Sequence, residues 1–185
     1  MSAIRIKVKK AETGYDLGAS KFFGTPTVPN GWESDFDEYA LFFCQIRLAD
    51  IAKLDRENRL PHSGYLYIFL DTFGGDYALR ASVRYHDGIP TVAIDGFNGE
   101  TEGYERFTDA WIMEFEETEE DKECTRLFGA PSDWNYQEPP PKLLLQFDPL
   151  DGELGFLEHL DGFLYFVFGE DERDFSKITL IGEYS

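Results

Sequence analysis

Short apolar runs, broken by Gly, Pro and acidic turns, set the pattern of this chain. Leu41-Phe42-Phe43-Cys44-Gln45-Ile46 is apolar throughout except at Gln45, and Gly64-Tyr65-Leu66-Tyr67-Ile68-Phe69-Leu70 is apolar at odd and even positions alike. Runs of this length without alternation predict strands buried on both faces, inside a sheet. The span 78–86 alternates instead: Leu79, Ala81, Val83 and Tyr85 face one way, and Arg80, Ser82, Arg84 and His86 the other, as in a half-buried strand. Asp87-Gly88 is a hairpin signal, which predicts 91–94 as the partner of that strand. Further strands are expected over 110–115, with Trp111, Met113 and Phe115 on one face, and over 143–147, 162–168 and 176–181. Helical spacing is scarce. Leu48, Ile51, Ala52 and Leu54 share a side of a short helix over 47–54, and the acidic run 116–123 suits the start of a second one reaching Phe128. The expected fold is α+β and mostly β: one twisted-sheet domain with a few short helices.

The same words recur in the same order. Lys21-Phe22-Phe23-Gly24-Thr25-Pro26 returns as Arg126-Leu127-Phe128-Gly129-Ala130-Pro131. The strand bearing Gln45 returns as Lys142-Leu143-Leu144-Leu145-Gln146-Phe147, and Gly64-Tyr65-Leu66-Tyr67 returns as Gly162-Phe163-Leu164-Tyr165. Three ordered blocks point to an internal duplication: two similar half-units, at about 20–115 and 124–181, packed into a single domain spanning 1–185. Function is then expected where the halves face each other.

Composition narrows the partners. Thirty-six acids against 17 Lys and Arg give a formal charge of −19, which repels phosphate backbones and anionic membranes and predicts no nucleic-acid or membrane partner. A basic protein partner would be drawn in. Aromatic residues make up 16% of the chain, and each one buried removes about 150–250 Å² from water, so Phe and Tyr are expected to dominate the core. Ile4, Ile6 and Val8 merely alternate with Arg5, Lys7 and Lys9, leaving no apolar segment for a signal peptide, and no stretch approaches the roughly 20 apolar residues of a membrane span. Two cysteines in unrelated contexts, Cys44 and Cys124, are expected as free thiols of a cytoplasmic protein.

Reactive constellations are absent from the pattern. His62, His86 and His159 lack metal-ligand spacing. Asp148, Asp151 and Glu153 do not follow a calcium-loop register, and no nucleophile elbow, phosphate loop or dinucleotide fingerprint occurs. No catalytic residue, metal or cofactor is therefore expected. The candidates that remain are binding residues. Gln45 and Gln146 are the polar members of otherwise apolar strands, at matching places in the two halves; a buried amide without partners costs about 1–3 kcal/mol, so each is either bonded to backbone or lines a cleft. Asp71 closes a strand. Trp32, Trp134 and Tyr136 lie on loops, where aromatic side chains serve as binding anchors.

Taken in order, Gly24-Thr25-Pro26, Trp32, Phe43-Cys44-Gln45-Ile46, Leu60-Pro61 and Gly64-Tyr65-Leu66-Tyr67-Ile68-Phe69, with their counterparts in the second half and the closing Asp174-Phe175-Ser176-Lys177-Ile178, resemble the YwqG-like family of bacterial proteins. The likeness runs from about Phe22 to Ile178. It implies a bacterial, soluble, mixed-sheet domain and carries no established activity. The chain departs from the family pattern in its loops: Phe23-Gly24 stands for Gly-Gly, Trp32-Glu33 for Trp-Pro, and Glu158-His159-Leu160-Asp161 for a Trp-Gly-Asp-like stretch. Two functions are expected from these readings. The first is a non-catalytic protein-binding module, immunity-like in that it recognises a basic partner. The alternative is a small-molecule binder or enzyme using a cleft between the halves, lined by Gln45, Gln146, Trp32 and Asp71.

Overall fold

A computed structural model describes residues 3–36, 38–71, 80–100, 107–132, 134, 139–151 and 163–182. The first half contributes β1 (Ala3–Lys10), β2 (Lys21–Phe22), β3 (Thr27–Val28), β4 (Ala40–Arg47), β5 (Tyr65–Asp71), β6 (Arg80–His86) and β7 (Val92–Ala93). After these come β8 (Trp111–Thr118), β9 (Arg126–Leu127), β10 (Leu143–Phe147), β11 (Leu164–Val167) and β12 (Thr179–Gly182). Ten of them form one antiparallel sheet in the order β12-β11-β10-β9-β1-β8-β2-β4-β5-β6, and β3 pairs with β7 apart from it. The protein is mostly β with short helical turns and a nearly closed sheet. Its two edges approach each other, and the Tyr85 and Phe175 rings meet 5.9 Å apart there. Among the described residues no helix is long and apolar enough to cross a membrane.

The order reads alike from either edge. From one side it runs β6-β5-β4-β2-β8, and from the other β12-β11-β10-β9-β1. Lys21 faces Gln45 across β2 and β4, as Arg126 faces Gln146 across β9 and β10. A register irregularity falls between Phe42 and Cys44 in β4 and between Leu143 and Leu145 in β10. Phe23 and Phe128 both take positive φ (54° and 67°), followed by Gly24 and Gly129 at 74° and 87°. β1, which lies outside 124–181, completes the second set by pairing with β9.

Curling the sheet explains the unbroken apolar runs. The concave face packs Phe22, Phe43, Phe147 and Phe166 from both halves, with ring centroids 5.0–5.4 Å apart for Phe43–Phe147, Phe22–Phe147 and Phe43–Phe166. The opposite face of β4 and β5 is buried too, because Phe42, Tyr65, Tyr67 and Phe69 lie beneath Trp32, Phe36 and Phe97. On the other side Leu143, Tyr165 and Val167 lie beneath Trp134 and Phe163.

Several expected elements differ. The acidic run does not open a helix, because β8 continues through Glu116 and Glu117 to Thr118. Its outward carboxylates meet β1 cations across the ladder: Lys7 donates to Glu116 at 2.7 Å, and Lys9 lies 2.8 Å from Glu114. Such exposed pairs contribute about 0.2–1 kcal/mol each, enough to prefer the strand where turn chemistry is neutral. Val92–Ala93 pairs with Thr27–Val28 and not with β6; Pro90 has no N–H to offer a returning ladder. Over 47–54 only Leu48–Asp50 forms a 3₁₀ turn. The buried Asp55 carboxylate then accepts the backbone N–H groups of Arg59 and Leu60 and turns the chain toward β5. The last strand begins at Thr179, after a 3₁₀ turn over Phe175–Lys177 whose first N–H groups include Ser176 N, held by the Asp174 carboxylate.

Candidate functional site

Both glutamines are fully buried, and their amides are fully engaged within the chain. Gln45 Oε1 accepts from Thr27 N at 3.0 Å and Thr27 Oγ1 at 3.1 Å, while Nε2 donates to the carbonyls of Leu17 and Ala19. Gln146 Oε1 accepts from Ser132 N at 2.9 Å and Arg126 Nη2 at 3.2 Å; its Nε2 donates to Cys124 O and Ser132 Oγ. Two donors and two acceptor positions exhaust what a side-chain amide offers. Neither amide retains a hydrogen-bonding position for a ligand, and neither lines the clefts described below. Each ties its strand to the segments before and after β2 or β9. Gln45→Leu and Gln146→Leu are each expected to cost about 3 kcal/mol, since several buried loop groups lose their partners at once. Urea unfolding of the two variants checks this; a midpoint unchanged from the parent protein in either one contradicts it.

Beside each amide lies a buried cation. The Lys21 ammonium donates to Leu17 O and stands 5.4 Å from the Tyr15 ring centroid. Burial lowers its pKa to about 7, although Asp16 pulls the other way. At the matching place Arg126 is also fully buried. Its guanidinium donates to the carbonyls of Lys122, Phe128 and Ala130 and to Gln146, and burial lowers its pKa. The hydroxyl just before each short strand is used in one way as well. Ser20 Oγ accepts Arg47 N and donates to Asp50; Thr125 Oγ1 accepts Asp148 N, while its backbone N–H goes to Asp151.

The remaining expected binding residues are dispersed. Trp32 lies edge-on to Tyr67 at 5.4 Å with the Arg84 guanidinium 5.2 Å away on its ring. Trp134 repeats the edge-on contact on Tyr165 at 6.0 Å. Both tryptophans cap the outer clusters, so their role in packing is direct. Asp71 ends β5 and borders a small cleft of about 210 Å³ with Asp35, Phe36 and Arg84. Tyr136 and His159 lie outside the described residues. Cys44 and Cys124 are buried free thiols, and burial raises the pKa of both, which disfavours the nucleophilic thiolate. Among the described residues no group of three His, Cys, Asp or Glu side chains could hold a metal ion.

A larger cleft forms where the halves meet. It measures about 540 Å³ and is walled by Gly129, Ala130, Pro139, Pro140, Pro141 and Leu143, with Phe168 beyond them. Glu57 and Arg59 close it from the connection between β4 and β5, and Glu120, Lys142 and Glu172 stand on the second-half side. The surface is apolar inside and charged at the margin, where three carboxylates outnumber two cations. Lys142 is bound to Glu172, and Arg59 Nε lies 3.6 Å from Glu57 while its guanidinium covers the Phe128 ring at 3.8 Å. Three consecutive prolines keep one wall stiff and offer no N–H groups. The proline run was visible in the sequence; Glu57, Arg59 and Phe168 carried no signal, because they reach the cleft only through long-range folding.

No protein-family model matches the chain, and no curated protein matches its sequence.

Proposed function

We propose that this chain is a duplicated, YwqG-like domain that acts as a non-catalytic binding module for a basic protein partner. The duplication is supported by the paired details above: sheet order, strand register, positive-φ Phe-Gly steps, engaged glutamines and buried cations fall at matching places in the two halves. Binding is supported above all by one observation, the apolar cleft at the junction of the halves with Glu57, Glu120 and Glu172 at its margin. An apolar floor supplies affinity through area removed from water, and the acidic rim with a net charge of −19 speeds encounter with cations.

Selection from a random peptide library on the immobilised protein tests this reading. Enriched peptides should carry Lys or Arg beside an apolar residue, and their affinity should fall as salt rises. Ala130→Trp, which fills the cleft, should weaken them about tenfold or more, equivalent to about 1.4 kcal/mol. Ile89→Ser, at an exposed position (82% accessible) away from the cleft, should leave them unchanged. Enrichment of uncharged peptides, or binding indifferent to Ala130→Trp, would overturn the proposal.

A further inference from the structure

The cleft has a counterpart in the first half, and there the chain fills it with its own residues. Gly129 and Leu143 wall the cleft; their counterparts are Gly24 and Phe42. Between those two a segment of the first half is wedged. Asn98, itself buried, donates from Nδ2 to Phe42 O at 3.1 Å and to Phe107 O at 3.1 Å, and its Oδ1 accepts Phe42 N at 2.9 Å. Gly24 N donates to Phe107 O at 3.0 Å. The Phe107 ring packs 4.9 Å from Phe23, and a Cβ on Gly24 would lie 2.7 Å from Ala110 Cβ. The wedge thus consists of one side-chain amide that pairs with both backbone groups of a strand residue, with the Phe107 ring beside it and the Phe97 ring, its neighbour in sequence, packed on Phe69 at 5.8 Å.

Among the described residues no such wedge separates Gly129 from Leu143. Leu143 N reaches across to Gly129 O in a long bond of 3.4 Å, near the limit of a useful hydrogen bond. Phe128 is covered by Arg59 where Phe23 is covered by Phe107. At the corresponding strand and turn of the second half, Gly129 and Leu143 line the cleft of about 540 Å³.

We infer that the cleft receives an extended segment of a partner polypeptide that reproduces this wedge: an Asn or Gln amide pairing with the Leu143 backbone, an aromatic ring next to it, and Lys or Arg side chains against Glu57, Glu120 and Glu172. This rests on the binding-module reading and specifies the occupant. The long 3.4 Å bond of Leu143 N is exchanged for one near 2.9 Å, the distance seen at Phe42. The ring buries apolar area against Pro139–Pro141 and Phe168. Cationic flanks complement the rim, where the carboxylates outnumber Arg59 and Lys142.

The probe is the synthetic capped peptide Lys-Gly-Phe-Asn-Gly-Lys, whose centre copies Gly96-Phe97-Asn98-Gly99. Titration into the ¹⁵N-labelled whole protein, followed by NMR, should move the Leu143 amide resonance. Replacing the peptide's Asn by Leu should weaken binding about fivefold or more, in line with a buried backbone pairing of about 1 kcal/mol. Replacing its Phe by Ala should weaken it at least as much, and the protein variant Glu120→Lys should weaken it further at low salt. Equal binding of the Asn and Leu peptides, or shifts that leave Leu143 untouched, overturns the inference while leaving the binding-module reading in place. Failure of this peptide alongside success of library-selected basic peptides does the same. If neither kind of peptide binds, both the inference and the reading beneath it fall.

Discussion

Arg126→Met should destabilise the protein by about 4 kcal/mol, one of the largest losses expected for any single change here. The native guanidinium supplies donors to Lys122 O, Phe128 O, Ala130 O and Gln146 Oε1. Removing a buried charge also removes its desolvation penalty, and replacing a whole buried ion pair with apolar side chains is often neutral. That relief does not decide the outcome here. Gln146 Oε1 keeps the Ser132 N–H and Lys122 O the Ser132 hydroxyl, but the Phe128 and Ala130 carbonyls stay in place and lose the guanidinium, and each buried acceptor left without a donor costs about 1–3 kcal/mol. Arg126 also sits under the Gly129 turn, where a Cβ on Gly129 would lie 2.7 Å from Nη1. Arg126→Lys should recover about half of the loss, because one ammonium reaches fewer of the carbonyls. Lys21→Met, at the matching place, removes the bond to Leu17 O and the contact with Tyr15 but also the burial penalty that lowers the Lys21 pKa, so near neutral pH it should cost far less than Arg126→Met. Guanidinium chloride unfolding of the three variants gives the order. A Lys21→Met loss equal to that of Arg126→Met would contradict this account of the two sites.

The sequence carried the local chemistry of both halves and little of what joins them. The unbroken apolar character of Leu41–Ile46 and Gly64–Leu70 marked β4 and β5 as interior strands, because burial on both faces leaves no polar alternation. Gln45 and Gln146 stood out for the same reason, and an amide inside such a run must find partners. Those partners, Thr27 at the start of β3 and Ser132 on the loop after β9, are close enough in sequence to belong to the same local unit. The alternation of Ile4, Ile6 and Val8 was equally visible, yet a central strand pairing with both β8 and β9 depends on contacts with residues more than half the chain away. The acidic run after Phe115 read as a helix start for a related reason: its cations lie on β1, out of reach of any window-based pattern. The cleft was hidden more deeply. Pro139–Pro141 announced a stiff loop, but its opposite wall comes from Glu57 and Arg59, and nothing near those residues distinguishes them from other exposed charges. Asn98, within a Gly-rich stretch that reads as an ordinary loop, is buried only because the β4 irregularity presents both Phe42 backbone groups to it.

Raising the pH above neutrality should stabilise the parent protein relative to Lys21→Met. Lys21 has a folded pKa of about 7 against an ordinary value of 10.5, with burial as the cause. Between those values the unfolded chain keeps its ammonium proton while the folded chain has released it, so unfolding takes up a proton and becomes less favourable as pH rises. The limiting slope is about 1.4 kcal/mol per pH unit. Below about pH 7 both states are charged and the difference between the two proteins should be flat, with the folded parent carrying the full penalty of a buried ammonium. From about pH 7 to about pH 8.5 the parent should gain about 2 kcal/mol over the variant. Cys44 and Tyr67 have pKa values raised by burial and act in the opposite sense once their unfolded counterparts begin to ionise. Both groups are present in both proteins, so their effect cancels in the comparison. Paired urea titrations across that range measure the difference directly. A constant gap between parent and variant means that Lys21 keeps its proton in the folded state; its ammonium then draws enough from Leu17 O, the Tyr15 ring and Asp16 to offset burial.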